Sequence, residues 1–396
     1  MRSTRETRPT AFSDVDLAID RELARVSDAF RFLLDVTPVD VEQQRRAFLE
    51  GTVAEPTFTY RPLEDAPEVM RTVLADVAVA DVEDPTFGHL LRAKHRELEV
   101  KLDMLAARDT PEFLPLSIEQ YGTVPPTLLD QAETLLDGLD VPRASRAGDR
   151  LDAQQFLALA EAELEHYRAI DPDIGVHVEV RPDASGIMVA GHDLIVGAAA
   201  RVSVGRAHAL LQHEVGTHLV TYVNGADQPI RILAAGLAGY EETQEGLAIF
   251  AEYLAGGLSA ERLRQLAGRV VAVHLMVTGA SFADVHQRLV EAGFSRTGAF
   301  TTTMRVFRSG GFTKDAIYLR GLLGLLDHLA RGGTLDLLWL GKLSLEDLPL
   351  VGDLADRGLL CAPKLLPRYL ADPETDRRLR RAARLADPAA LIDTSS

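Results

Sequence analysis

Cysteine is nearly missing from the sequence: Cys361 stands alone in 396 residues. No internal disulfide can form, and no zinc site can be built from thiolates, so a bound metal would have to be held by His, Asp or Glu. The lone thiol is expected to be a small buried apolar side chain. Positive charge is also short, with 42 Lys and Arg against 59 Asp and Glu and a formal net charge of −17. That balance argues against a nucleic-acid partner. No apolar run approaches the roughly 18 uncharged residues of a membrane-spanning helix, which argues against a membrane protein. The opening, "MRSTRETRPTAFSDVD", is charged and lacks an apolar stretch of the kind a secretory leader carries, so a cytoplasmic location is expected. Low-complexity tracts are absent as well, which removes the disordered class.

What remains is a chain that is 46% apolar along its whole length, enough for one large domain or two of ordinary size. Apolar positions recur at three-and-four spacing over 14–34, 86–108, 127–138 and 151–169, as in "LDAQQFLALAEAELEHYR", so the first 170 residues read as helical. Proline-containing breaks at "VTPVD", "AEPTFTYRP", "VPPT" and "IDPDIG" separate these helices without making a flexible linker. Over 176–197, "VHVEVRP" and "GIMVAGHDLIVG" switch to β-branched alternation around "DASG" and "GHD" turns, which predicts two or three short strands. Helical periodicity returns over 201–224, 240–255, 259–277, 281–292 and 313–331. The expected class is therefore α+β and predominantly helical. A helical N-terminal region (1–170) precedes a core (171–396), either as separate units or packed as one.

The strands lead into "LLQHEVGTHLV", 210–220, where His213 is followed by Glu214 and, five positions on, by His218. The zinc-protease pattern H-E-x-x-H spaces its histidines four apart, about 40° around a regular helix, whereas five apart is about 140° and cannot share one ion. A single π-turn of roughly 4.4 residues would return the pair to about 50°, and Gly216 sits in the stretch that must loosen. Both imidazoles could then face one metal, with Glu214 beside them as a general base. A chance pairing on a helix is the competing reading. A catalytic zinc usually takes three protein ligands, and "GYEETQEGLAIFAEYL" offers the third in Glu245, 27 residues after His218. Glu241 and Glu242 read as carboxylates capping the start of that helix, and Glu245 by composition alone could be the same. The small residues Gly246 and Ala248 favour a close approach of this helix to the first.

"HEVGTH" followed by "TQEGLA" resembles the QEGLA-motif family, which comprises bacterial flavohaemoglobin expression-modulating proteins and the animal microtubule-associated tyrosine carboxypeptidases. "SGIMVAGHDLIV" and "FTKDAIYLRGLL" extend the resemblance over most of residues 50–390. The resemblance implies a zinc metallopeptidase core, one Zn²⁺ per chain on His213, His218 and Glu245, Glu214 as catalytic base, and a peptide or protein C-terminus as substrate. The animal members act on acidic tubulin tails, which this acidic chain would repel. "RVFRSGGFTKDAIYLRG" adds cationic and phenolic donors suited to an oxyanion or a terminal carboxylate: Tyr318 and Lys314 for catalysis, Arg320 and Arg305 for substrate.

Other polar residues have quieter readings. His208 is expected to be structural or a partner behind a ligand, and His274 and His286, on apolar helices, to be satisfied core histidines. Glu252, on the face of Glu245, is either a helix-surface carboxylate or a partner of a ligand histidine. The strand "DLIVG", 193–197, is either an ordinary paired strand or an edge beside the cleft that could accept an extended peptide. Three functional classes remain: a carboxypeptidase-like zinc hydrolase, a metal-binding regulatory protein without peptidase activity, and a non-peptide amidase. An open coordination position beside Glu214 favours the first; a fourth protein ligand favours the second.

Overall fold

A computed structural model describes residues 11–139, 149–182, 184, 186–385 and 388–392. Part of the charged opening and two residues of the "DASG" turn lie outside these ranges. Helices dominate and the strands are few and short. The helices that build or flank the site are, in chain order, α1 (Asp14–Ala29), α2 (Pro85–Ala106), α3 (Ala153–Ile170), α4 (Val204–His213), α5 (Val220–Asp227), α6 (Tyr240–Leu254), α7 (Ala260–Val277) and α8 (Ile317–Ala330). Local chemistry sets where several of them begin. Ser13 and Asp16 exchange side-chain and backbone hydrogen bonds of 3.1 and 3.2 Å at the start of α1, and Asp152 and Gln155 do the same at α3. Each such reciprocal pair satisfies donors that the first turn leaves free. Asp84 caps α2, whose first residue is the proline that the first turn tolerates.

Among the described residues five strands accompany them: β1 (Arg150–Leu151), β2 (His177–Arg181), β3 (Ile187–Ala190), β4 (Asp193–Gly197) and β5 (Val202–Ser203). The larger sheet runs β2-β4-β3, with β4 parallel to β2 and antiparallel to β3. The strand at 193–197 is thus central and buried, not an edge; the edge on that side is β3, which packs on the helix carrying the histidines. A two-residue ladder of β1 with β5 ties the end of the helical N-terminal stretch to the residues just before α4. Two residues are too short to show alternation, so periodicity assigned that whole stretch to helix.

The two larger of four apolar clusters among the described residues bear on the site. One joins Leu23, Phe87 and Leu98 to Phe250, Val270 and Leu322; the other joins Phe156, Leu164 and Tyr167 to Leu194, Val196, Leu211 and Val215. Each draws residues from both sides of residue 170, and each fully buried Leu or Phe contributes about 1.5–3 kcal/mol. The helix of the histidines belongs to the second cluster and α6 to the first, so the two meet along one seam. Cys361, expected to be buried, is exposed; its segment crosses the surface, where its N–H donates to Gln228.

Candidate metal centre

Between α4 and α5 the helix does not break but widens into a π-helical turn, Glu214–Leu219. This is the distortion that the five-residue interval requires. Widening frees carbonyls from their regular partners, and nearby hydroxyls take them up: Thr217 Oγ1 donates to Gln212 O at 3.2 Å and Thr221 Oγ1 to Thr217 O at 2.8 Å. Gly216 is needed for space, since a Cβ there would lie 2.7 Å from Gln212 Oε1 and 3.2 Å from the Tyr369 ring.

The turn brings the imidazoles of His213 and His218 to a centroid separation of 5.1 Å. Glu245 Oε2 on α6 lies 3.8 Å from His213 Nε2 and 3.9 Å from His218 Nε2. Ligand atoms of the three residues all fall within 4.8 Å of one another. A tetrahedral zinc with bonds of about 2.0–2.2 Å spaces its ligands by roughly 3.3–3.6 Å, so a small inward movement suffices and the donor set fits the ion. The tautomers fit too. His213 Nδ1 donates to Glu252 Oε1 at 3.0 Å, and His218 Nδ1 approaches Gln244 Oε1 at 3.4 Å, which leaves each Nε2 lone pair facing the centre. Among the described residues no fourth His, Cys, Asp or Glu joins the group.

Glu245 reaches the histidines because α6 is fixed from behind. A Cβ on Gly246 would lie 2.3 Å from the carbonyl carbon of Gly321, and one on Gly321 would lie 2.0 Å from Glu242 O, so α6 and α8 touch backbone to backbone. Gly246 therefore serves the contact with α8, not the contact with the first histidine helix that its sequence position favours.

Burial governs the titration of the centre. It pushes Glu214 up to about 7 against the lowering charge of His213, and it pushes His218 down to about 4. Burial would also lower His213, but the hydrogen bond to Glu252 and the charges of Glu214, Glu252 and Glu245 win and raise it. For Glu245 the desolvation cost is outweighed by Lys314, the two histidines and the Tyr318 hydroxyl, and its pKa falls. Glu252, fully buried, is desolvated yet held down near 2, by Arg262 foremost, together with His213 and Arg206. Its partners are Arg206 Nη2 at 3.2 Å, Arg262 Nη2 at 3.1 Å and His213 Nδ1 at 3.0 Å, so it is a partner of His213 and not a surface carboxylate.

The remaining residues singled out in the sequence divide into two sets. Lys314 and Tyr318 stand at the centre: Lys314 Nζ is 3.9 Å from Glu245 Oε1, and the Tyr318 hydroxyl is near enough to help lower the pKa of the same carboxylate. Arg305 is engaged by both carboxylate oxygens of Asp315, at 2.5 and 2.7 Å, and Arg320 by Glu242 and the carbonyls of Tyr121 and Thr123. Glu241 and Glu242 make no capping bond to α6. They pair with lysines and with Arg320. His286 is buried and satisfied by Arg296 O at 3.0 Å, whereas His208 is exposed and His274 half-buried.

Three features had no place in the sequence reading. Gln244, inside "TQEGLA", bridges His218 and Thr221. A buried file of alternating charge runs Lys94, Glu97, Lys101, Glu241, Lys314, with contacts of 2.7, 3.1, 3.2 and 3.2 Å. Lys342 is half-buried with its Nζ 5.1 Å from the Tyr222 ring centroid and 5.9 Å from that of Tyr240. Its only trace in the sequence is a single cation inside the apolar run "LLWLGKLSL".

Comparison with known proteins adds an independent finding. The family model described as microtubule-associated tyrosine carboxypeptidase matches residues 46–385. No curated protein matches significantly. Among solved structures, a lipoprotein from Colwellia psychrerythraea is similar at 13% identity and a TM-score of 0.40, covering 86% of this chain and 70% of its own.

Proposed function

Starting from the chain's membership of the microtubule-associated tyrosine carboxypeptidase family, we propose that it is a zinc-dependent carboxypeptidase acting on a peptide or protein C-terminus. The observation that carries this reading is the convergence of His213, His218 and Glu245 across the π-turn, with Glu214 adjacent. The three residues would hold one Zn²⁺, and two neutral imidazoles with one carboxylate leave such a site a net +1. Bound there, the ion would supply Lewis acidity to an attacking water and to the scissile carbonyl.

The chain's own residues do the rest. Glu214 takes the proton of the attacking water and returns it to the leaving amine. Tyr318 and Lys314 donate to the oxygen on which negative charge develops. Glu252 and Gln244 fix the histidine tautomers, and Arg206 and Arg262 keep Glu252 ionised. Asp315 and Glu242 hold Arg305 and Arg320, so in this reading those two cations shape the wall around Tyr318 and α8.

The alternative of a regulatory metal protein would be favoured by a fourth protein ligand. The group of three among the described residues supports the hydrolase instead. The test joins metal analysis to turnover. His213→Ala and Glu245→Ala should lose zinc. Glu214→Gln should keep zinc and melting temperature while turnover on peptides with free C-termini drops roughly 10²–10⁴-fold. Undiminished zinc in either alanine variant removes that ligand from the site, and a Glu214→Gln protein as active as the parent defeats the hydrolase reading.

A further inference from the structure

We propose that Lys342 is the residue that receives a substrate carboxylate, the terminal one in the first instance, beside the His213, His218 and Glu245 centre. The inference rests on the carboxypeptidase reading and names the residue that selects its substrate.

Position is the first argument. The main chain at Lys342 is clamped from both directions: its N–H donates to Leu233 O at 2.8 Å and its carbonyl accepts from Leu237 N at 2.9 Å. The ammonium is framed by the rings of Tyr222 and Tyr240. Tyr222 lies four residues after His218, on the same helical face one turn along, and Tyr240 lies four before Gln244, which touches His218. Lys342 thus shares its ring neighbours with the His218 side of the centre, and its charge is near enough to be felt by that imidazole.

Availability is the second. Arg305, Arg320 and Lys314 are each committed to carboxylates of the protein. Among the described residues Lys342 Nζ has none within ion-pair distance. The acids that feel it are Asp28, exposed on α1, and Glu241, already held by Lys101 and Lys314. Burial pushes Lys342 down to about 8, so the ammonium is still the main form at neutral pH. A half-buried cation that rests on two ring faces, with Lys94 as a like charge and no carboxylate at ion-pair distance, can take an added anion, and in a chain of net charge −17 it offers a negative peptide end a local counter-charge.

The test uses the zinc-loaded full chain and a blocked tripeptide ending in tyrosine, as free acid and as C-terminal amide, with a third version that is amidated but carries an acidic side chain near the end. In Lys342→Met the ratio of KM for the free acid to KM for the plain amide should rise about 10–100-fold with kcat for the acid moving less than about threefold, and Lys342→Arg should restore most of it. If the loss follows the acidic side chain instead, the carboxylate is read from that source and the assignment of Lys342 stands. Equal effects on all three peptides, or none, overturn it. Calorimetric binding of the free acid and the amide to Glu214→Gln protein, with and without Lys342→Met, separates the two readings. A Lys342-dependent preference for the acid without turnover in the parent would leave this inference standing while the hydrolase reading falls; binding of acid and amide with equal affinity would overturn this inference alone.

Discussion

Gly246→Ala probes the seam that sets the height of Glu245. The new Cβ would begin 2.3 Å from the Gly321 carbonyl carbon, 2.5 Å from its oxygen and 2.7 Å from Leu322 N. Carbon pairs settle near 3.5–4.0 Å, and the obstacle is backbone, so α6 and α8 must part by more than about 1 Å. A radial gap of 0.5–1 Å already forfeits a quarter to a half of each dispersion contact along a seam, and overpacking typically costs about 1–3 kcal/mol, occasionally more. Alanine returns about 1 kcal/mol of helix propensity. The net expectation is a loss of up to about 2 kcal/mol in urea unfolding measured in chelator, with apparent zinc affinity lowered about 10–100-fold because the neighbouring carboxylate moves with the backbone. Gly205→Ala is the control. It sits in α4 with nothing within 4 Å of the added carbon, so the same substitution should be neutral or stabilising by up to about 1 kcal/mol. A Gly246→Ala protein as stable as the parent, with unchanged zinc affinity, would refute the claim that this backbone contact positions Glu245.

Two further outcomes follow from buried acids. Glu252→Ala strands Arg206 and Arg262 and frees the His213 ring, so thermal unfolding should show a loss of about 3–5 kcal/mol, and a chelator competition a drop in zinc affinity of about 10–100-fold; unchanged zinc affinity would separate Glu252 from the centre. Asp20 is buried, and burial raises its pKa to about 6 against the two backbone N–H groups of Arg231 and Ile232 that it accepts. Its folded pKa lies above the unfolded value, so the stability it contributes is present below pH 4 and lost as pH rises through 6; the parent's advantage over Asp20→Asn should shrink by about 2–3 kcal/mol between pH 4 and 7, and a pH-independent difference in urea midpoints would contradict this.

How much could be read in advance depended on whether a residue's partner lay on its own element. The π-turn was legible because His213 and His218 share one helix, where spacing alone fixes direction. Glu245 was placed by the length of chain a return helix needs, and its neighbours in "TQEGLA" carried the family resemblance. Partners from distant segments left no such trace. The apparent capping acids Glu241 and Glu242 turned out to face Lys101, Lys314 and Arg320, and nothing in their own sequence distinguishes an N-terminal carboxylate in water from one buried against a lysine 140 residues earlier. Gly246 was recognised as a close-contact residue but assigned to the wrong neighbour, because a missing Cβ gives proximity without saying to what. Lys342 escaped for the opposite reason: a single lysine in an apolar run usually snorkels to solvent, and only the two rings and the commitment of Arg305, Arg320 and Lys314 give it meaning.

The charged file behind Glu245 also bears on why the N-terminal helices accompany this centre. Lys94, Lys101 and Lys314 alternate with Glu97, Glu241 and Glu245, three of each sign, all largely removed from water. Each charge is tolerable only because its neighbours are fixed. Glu97, desolvated but held far below its ordinary range by Lys101 and Lys94, also accepts the Gly239 N–H at 2.7 Å, one residue before α6 begins. That bond fixes the entry of α6 while Lys101, through Glu241, fixes Lys314 beside the carboxylate of Glu245. A chain cut at residue 170 would keep every side chain at the centre and lose α2, leaving Glu241 with one lysine in place of two and Gly239 with no acceptor. The N-terminal helices thus act on the site through charge as well as through packing on the histidine helix, so the electrostatic unit is larger than the motifs that identify it.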